Sequence, residues 1–171
     1  GGAHLNVVAQ AGIHMRSFER NDHIQVCYDG ELFRRVLMMP GASAEQRAHA
    51  ALALTRSDCI DPALSPTLRD RLDPERAAML DGIRERDLTP LTRSRLHARR
   101  AAVWAAIAFD QARHGESAAA AAAAAGERAL GELPGVRVAD LGEDRRAEYV
   151  DAMVRVGASR WASTVAAKSS G

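Results

Sequence analysis

The histidines His23, His49, His97 and His114 are scattered, and no two share a spacing that would present a pair of ligands to one metal ion. No metal-ligating set is therefore expected. His23 and Cys27 are close in sequence, but a Cys/His pair without a third orienting residue is not a nucleophilic triad. Asp58 and Asp61 flank Cys59 in Ser57-Asp58-Cys59-Ile60-Asp61-Pro62. In a loop beside a helix end, such carboxylates serve as caps and turns. The chain carries no glycine-rich phosphate loop, no serine nucleophile elbow and no Cys-x-x-Cys redox pair. No catalytic residue and no cofactor are expected.

The densest charged cluster is Arg93, Arg95, His97, Arg99 and Arg100. On a helix, Arg93, His97 and Arg100 share one face at i, i+4 and i+7, and Arg95 and Arg99 share another. Such a face suits an acidic partner or a phosphate. The alternative is a solvated helix face paired with Glu85 and Asp87. Without neighbouring aromatic residues or a recognition-helix pattern, DNA readout is not expected.

These residues need elements to hold them, and composition narrows the choice. The 171 residues suit one domain, 47% apolar and 26% charged, with a formal net charge of +1 and only 4% aromatics. A core of Ala, Leu, Val, Ile and Met favours close helix packing over a β-sandwich. The near-zero net charge gives no global electrostatic case for nucleic acid or anionic lipid. Lys168 is the lone lysine among 23 basic residues, as GC-rich bacterial genomes encode. No apolar run approaches the roughly 20 residues a membrane span needs.

Punctuation then sets the helices. Gly30 to Met39 has helical apolar spacing and stops at Pro40, whereas Ile24–Tyr28 is the one strand candidate. Ser43-Ala44-Glu45-Gln46 reads as a capping box opening a helix to about Arg56, with Ala44, Ala48, Ala51 and Leu52 as its buried stripe. Ser65-Pro66, Asp73-Pro74 and Thr89-Pro90 read as three helix starts with proline at the first helical position. They predict helices to about Leu72, Arg86 and Arg113. Gly115 ends the third, Ser117 caps the next, and Gly131, Pro134 and Gly135 close it. Asp140-Leu141-Gly142-Glu143 offers a second capping box, and the last helix is expected to reach about Ala162. In that helix Tyr149, Met153, Val156 and Trp161, with Val150, Val154 and Gly157, form a wide apolar stripe. Gly157 inside a helix predicts a close backbone approach.

The stretch 104–134 resembles one tetratricopeptide repeat: Trp104 opens a first helix, Ile107 and Ala108 follow, Ala120 and Ala124 line a second, and Pro134 ends the unit. Ala108 stands where the family has glycine and Gln111 where it has tyrosine. The resemblance implies a protein-binding helical hairpin. The pattern does not recur after Pro134, and an array needs at least three units.

The expected fold is therefore all-α: an antiparallel bundle of five to six helices, or a short hairpin array, with an N-terminal arm. Residues 1–15 are expected to stand apart as a leader remnant or arm, 16–165 to form one helical domain, and 166–171 to be a disordered tail. Val8-Ala9-Gln10-Ala11-Gly12 carries the A-x-A spacing of a signal cleavage site, without the apolar segment that precedes one. Cys27 and Cys59 permit one disulfide, in keeping with an exported, periplasmic protein, or stand as two buried thiols in a cytoplasmic one. The expected function is a non-catalytic adaptor or scaffold binding another protein in the groove beside 90–113 and 118–130. Arg93, Arg99, Arg100, Trp104, Gln111 and Trp161 are its candidate contacts. The alternative is a cytosolic regulator that binds nucleic acid or another polyanion through the Arg93–Arg100 face.

Overall fold

A computed structural model describes residues 30–55 and 66–169, and all regular structure in them is helical. Six α-helices follow in order: α1 Gly30–Met38, α2 Ala44–Leu54, α3 Pro66–Asp81, α4 Pro90–Ala112, α5 Ala119–Gly131 and α6 Glu143–Ser169. Short 3₁₀ turns punctuate the connections at Glu85–Asp87, Glu116–Ala118, Leu133–Gly135 and Val138–Asp140. Cys27, Cys59, the strand candidate 24–28 and the arm 1–15 lie outside the described residues.

Two helix starts form as their local chemistry requires. Ser43 accepts from the Gln46 amide while the Gln46 side chain accepts from the Ser43 amide, completing the capping box of α2. Thr89 accepts from the Thr92 amide at the start of α4, with Pro90 at the first helical position. Each satisfies amides that the helix cannot pair internally.

Other boundaries differ from the reading of the sequence. Pro66 and Pro74 do not open separate helices, because α3 runs unbroken from Pro66 to Asp81 with Pro74 inside it. Asp73 does not act as a fresh cap. It is buried and paired with Arg76 at 3.0 Å, while Ala77 and Leu80 continue the buried face. Burial of that face outweighs the hydrogen bond that a proline withholds. Ser117 falls in a 3₁₀ turn, and α5 starts with no side-chain cap. The helix propensity of its alanine run compensates. Gly115 adopts φ +80°, a backbone conformation L side chains rarely take, so it is the residue that can turn the chain between α4 and α5. The final helix continues beyond Ala162 to Ser169.

The central strut is α4, packed against α5 and α6 and, on its other sides, against α3 and α2. One core joins Ala48, Ala51, Ala77, Leu80, Ile83, Leu88, Leu96 and Val103. A second sets Phe33 and Val36 of α1 on Ala50 and Ala53 of α2. A third brings Ala105 of α4, Ala129 of α5, and Ala152 and Val156 of α6 together. The small side chains there let the helix axes approach the lower end of the 8–10 Å packing range. Gly157 is different. Among the described residues, nothing lies within 4 Å of where its Cβ would be, so none of them makes the expected close approach.

Candidate functional site

The first half of α4 carries the polar residues that reach across the molecule. Arg100 is 4% exposed, and its guanidinium donates to the carbonyls of Leu80, at 2.9 and 3.2 Å, and of Ile83, at 3.1 Å. It also bonds Glu85. It thus satisfies carbonyls at the open C-terminal end of α3, where a positive charge is favoured by the helix dipole. Arg99, 5% exposed, does the same for α2, donating to the Leu52 carbonyl at 2.5 Å and to Thr55 Oγ1 at 3.2 Å. Arg93 donates to the carbonyls of Glu85 and Leu88. Arg47, outside the cluster, closes α1 by donating to the carbonyls of Leu37, Met39 and Ala42.

The expectation of an open Arg93–Arg100 face is therefore corrected. Arg93, His97 and Arg100 do share one face, but it points inward at the 83–88 connection. Arg99 and Arg100 are buried because backbone carbonyls need their donors.

Beside Arg100 lies a group in which the pairing with Glu85 was an alternative offered by the sequence, and the pairing with Glu132 was not. His97 Nδ1 is 2.5 Å from Glu132 Oε2, and His97 Nε2 is 3.1 Å from Glu85 Oε2. Three elements meet here: α4 holds the ring, the 3₁₀ turn Glu85–Asp87 brings one carboxylate, and the end of α5 brings the other. Gly135 closes the back. A Cβ at that position would overlap the His97 ring, so the close approach requires glycine. Arg128 donates to Glu132 at 2.7 Å and to Asp81 at 2.9 Å, and stacks 5.5 Å from the Trp104 ring. Burial pushes the Glu132 carboxyl up, but the His97 hydrogen bond and the charges of Arg100, His97 and Arg128 outweigh it and hold the group below the usual carboxylate range.

Glu85, His97 and Glu132 offer one ligand atom each within 4.8 Å of one another, ligand types that suit a divalent cation. Their charge is already matched, however. Both ring nitrogens face carboxylate oxygens, Arg100 bonds Glu85 and stands 4.0 Å from Glu132, and Arg128 covers the outer side. Asp81, Glu85, Arg100, Arg128 and Glu132 line an open, polar cleft of about 430 Å³ with Arg84 and Arg86 at its rim. The arrangement is a compensated ion-pair hub that ties α3, α4 and α5 together. Among the described residues, no serine, threonine, cysteine or lysine lines it.

The remaining sequence candidates disperse. Trp104 is half-buried between two cores, and Gln111 is half-buried near the end of α4. Trp161 lies on α6, with its side chain outside the described residues. The groove beside α4 and α5 is not open to a partner along its packed length, because Ala152 and Val156 of α6 fill it. Among the described residues, Met38, Leu91 and Val138 are exposed elsewhere, and on the opposite side of α6 Val150 and Val154 are 60% and 64% exposed. In sequence these valines merged into one wide apolar stripe with Tyr149, Met153 and Val156. The structure divides that stripe into a core side and an outer side.

Compared with known proteins, the chain matches no family model, no curated protein and no solved structure. Among the described residues, no helix is long and apolar enough to cross a membrane.

Proposed function

We propose that the chain is a non-catalytic protein-binding module whose docking surface is the outer face of α6. The observation that supports this reading is the pair Val150 and Val154, one turn apart and each more than half exposed on a helix whose inner side already packs on the core. A helix apolar on two sides is suited to hold its own fold with one and a partner with the other. The polar cleft supports a binding module rather than an enzyme, since its charges compensate one another inside the protein. The Trp104–Pro134 hairpin serves in this reading as the platform for α6.

A photo-reactive phenylalanine at position 154, compared with one at the exposed position 123 of α5, tests the reading in cells. A discrete protein adduct at 154 and none at 123 is expected. No adduct at 154, or equal labelling at both, contradicts it. A location in the bacterial envelope is a companion proposal resting on a Cys27–Cys59 bridge. Intact mass after alkylation without reductant tests it, and two freely alkylated cysteines would overturn it.

A further inference from the structure

The outer face of α6 has a regular spacing. Ala147, Val150, Val154 and Gly157 follow one another at intervals of three, four and three residues, all exposed, and Trp161 and Thr164 continue the register. This is the 3.5-residue repeat of a two-helix seam, set opposite the face that carries Ala152. A helical glycine is less favourable than alanine. Among the described residues, none comes within 4 Å of a Cβ position at Gly157. A second helix crossing the seam would use that space.

The charges beside the seam select the occupant. Arg146 and Asp151, which also pairs with Arg155 of its own helix at 2.9 Å, are both exposed and flank it on opposite sides, five residues apart. That is the spacing at which two parallel, in-register copies place each arginine beside the other copy's acid. In a parallel pair, Arg146 meets the partner's Asp151, twice by symmetry. In the antiparallel register that stacks Val150 on Val154, Arg146 would meet the partner's Arg160, and Asp151 would meet the partner's Asp151. We infer that α6 pairs in parallel with α6 of a second copy of this chain, with Val150 on Val150, Val154 on Val154 and Gly157 on Gly157. This inference rests on the reading of the outer α6 face as the docking surface, and names its partner.

The test is sedimentation equilibrium of the full chain from micromolar to several hundred micromolar. A monomer–dimer equilibrium is expected. Val154→Arg should abolish it. Arg146→Asp should raise the dissociation constant about tenfold, and the double variant Arg146→Asp/Asp151→Arg should restore it. In a Cys27→Ser/Cys59→Ser background, Val150→Cys should oxidise to a disulfide-linked dimer through position 150 of both copies. A monomer throughout the range overturns the inference, as does a dimer that survives Val154→Arg or fails to cross-link at position 150. A monomeric chain whose position 154 still labels one different protein in cells also overturns it, while leaving the protein-docking reading intact. If both the dimer and the adduct are missing, the reading itself has failed.

Discussion

The two halves of α4 hold their neighbours by different physics. From Thr92 to Arg100 the contacts, apart from those of the buried core residue Leu96, are polar and directed. Thr92 donates to Glu45, Ser94 exchanges hydrogen bonds with the Arg137 backbone, His97 bridges two glutamates, and Arg99 and Arg100 close the ends of α2 and α3. From Ala101 to Ala108 the contacts are apolar and close, with Ala105 buried against Ala129, Ala152 and Val156. The polar half fixes orientation, because each donor must meet one acceptor. The alanine half fixes distance, because its side chains leave no room for anything larger. One helix thus serves as both clamp and spacer, and substitutions should damage the halves in different ways.

The largest effect is expected at Arg100. Arg100→Met takes a donor from the Ile83 carbonyl and from the Leu80 carbonyl, which keeps the Ile83 amide, and leaves Glu132 less compensated. It should lower unfolding free energy by about 3–5 kcal/mol in urea titrations. In the other half, Ala105→Leu inserts bulk where α4, α5 and α6 meet. A loss of about 1–3 kcal/mol is expected, with little change for the smaller Ala105→Gly beyond about 1 kcal/mol of helix propensity. Equal losses from Ala105→Leu and Ala105→Gly would blur the distinction, since close packing would not then be what holds that half together.

Gly135→Ala probes the clamp from behind. It should push His97 off its carboxylates and cost about 1–3 kcal/mol. If His97→Gln already carries that loss, adding Gly135→Ala should bring less than the sum, a coupling that a double-mutant cycle reads directly.

Acid should act selectively on the polar half. The Glu132 carboxyl is held below its ordinary value of 4.5, so its contribution is fully present above that pH. It is lost as pH falls through the folded value. Glu132→Gln should be less stable at pH 7 and lose less stability than the parent between pH 5 and 3. The smallest expected effect is Thr89→Ala, about 1 kcal/mol, because it removes a single cap. Thermal unfolding followed by circular dichroism measures both.

The same contrast explains what could be read from the sequence. The capping box Ser43/Gln46 and the Thr89-Pro90 start are complete within four residues, so their chemistry is local and legible. The all-α class followed equally from composition and helical periodicity. Asp73-Pro74 looked like another helix start by the same local rule, but buried contacts of Asp73, Ala77 and Leu80 decided otherwise. The arginine cluster was visible as residues but not as burial, because the carbonyls it serves belong to α2, to α3 and to the connection after it. Glu85, His97 and Glu132 come from three separate elements with no motif between them. The apolar stripe of α6 was legible, but its division into core and outer sides depends on where α4 and α5 lie.

The most direct test sets the buried clamp against the exposed seam. Arg100→Met and Val154→Arg are compared by urea unfolding of dilute protein and by sedimentation of the concentrated protein under native conditions. Arg100→Met should lose several kcal/mol of stability, yet its folded fraction should still associate. Val154→Arg should stay within about 0.5 kcal/mol of the parent, as a surface substitution does, and lose association. The reverse pattern, a tolerant Arg100 and a Val154 that unfolds the monomer, would contradict the account.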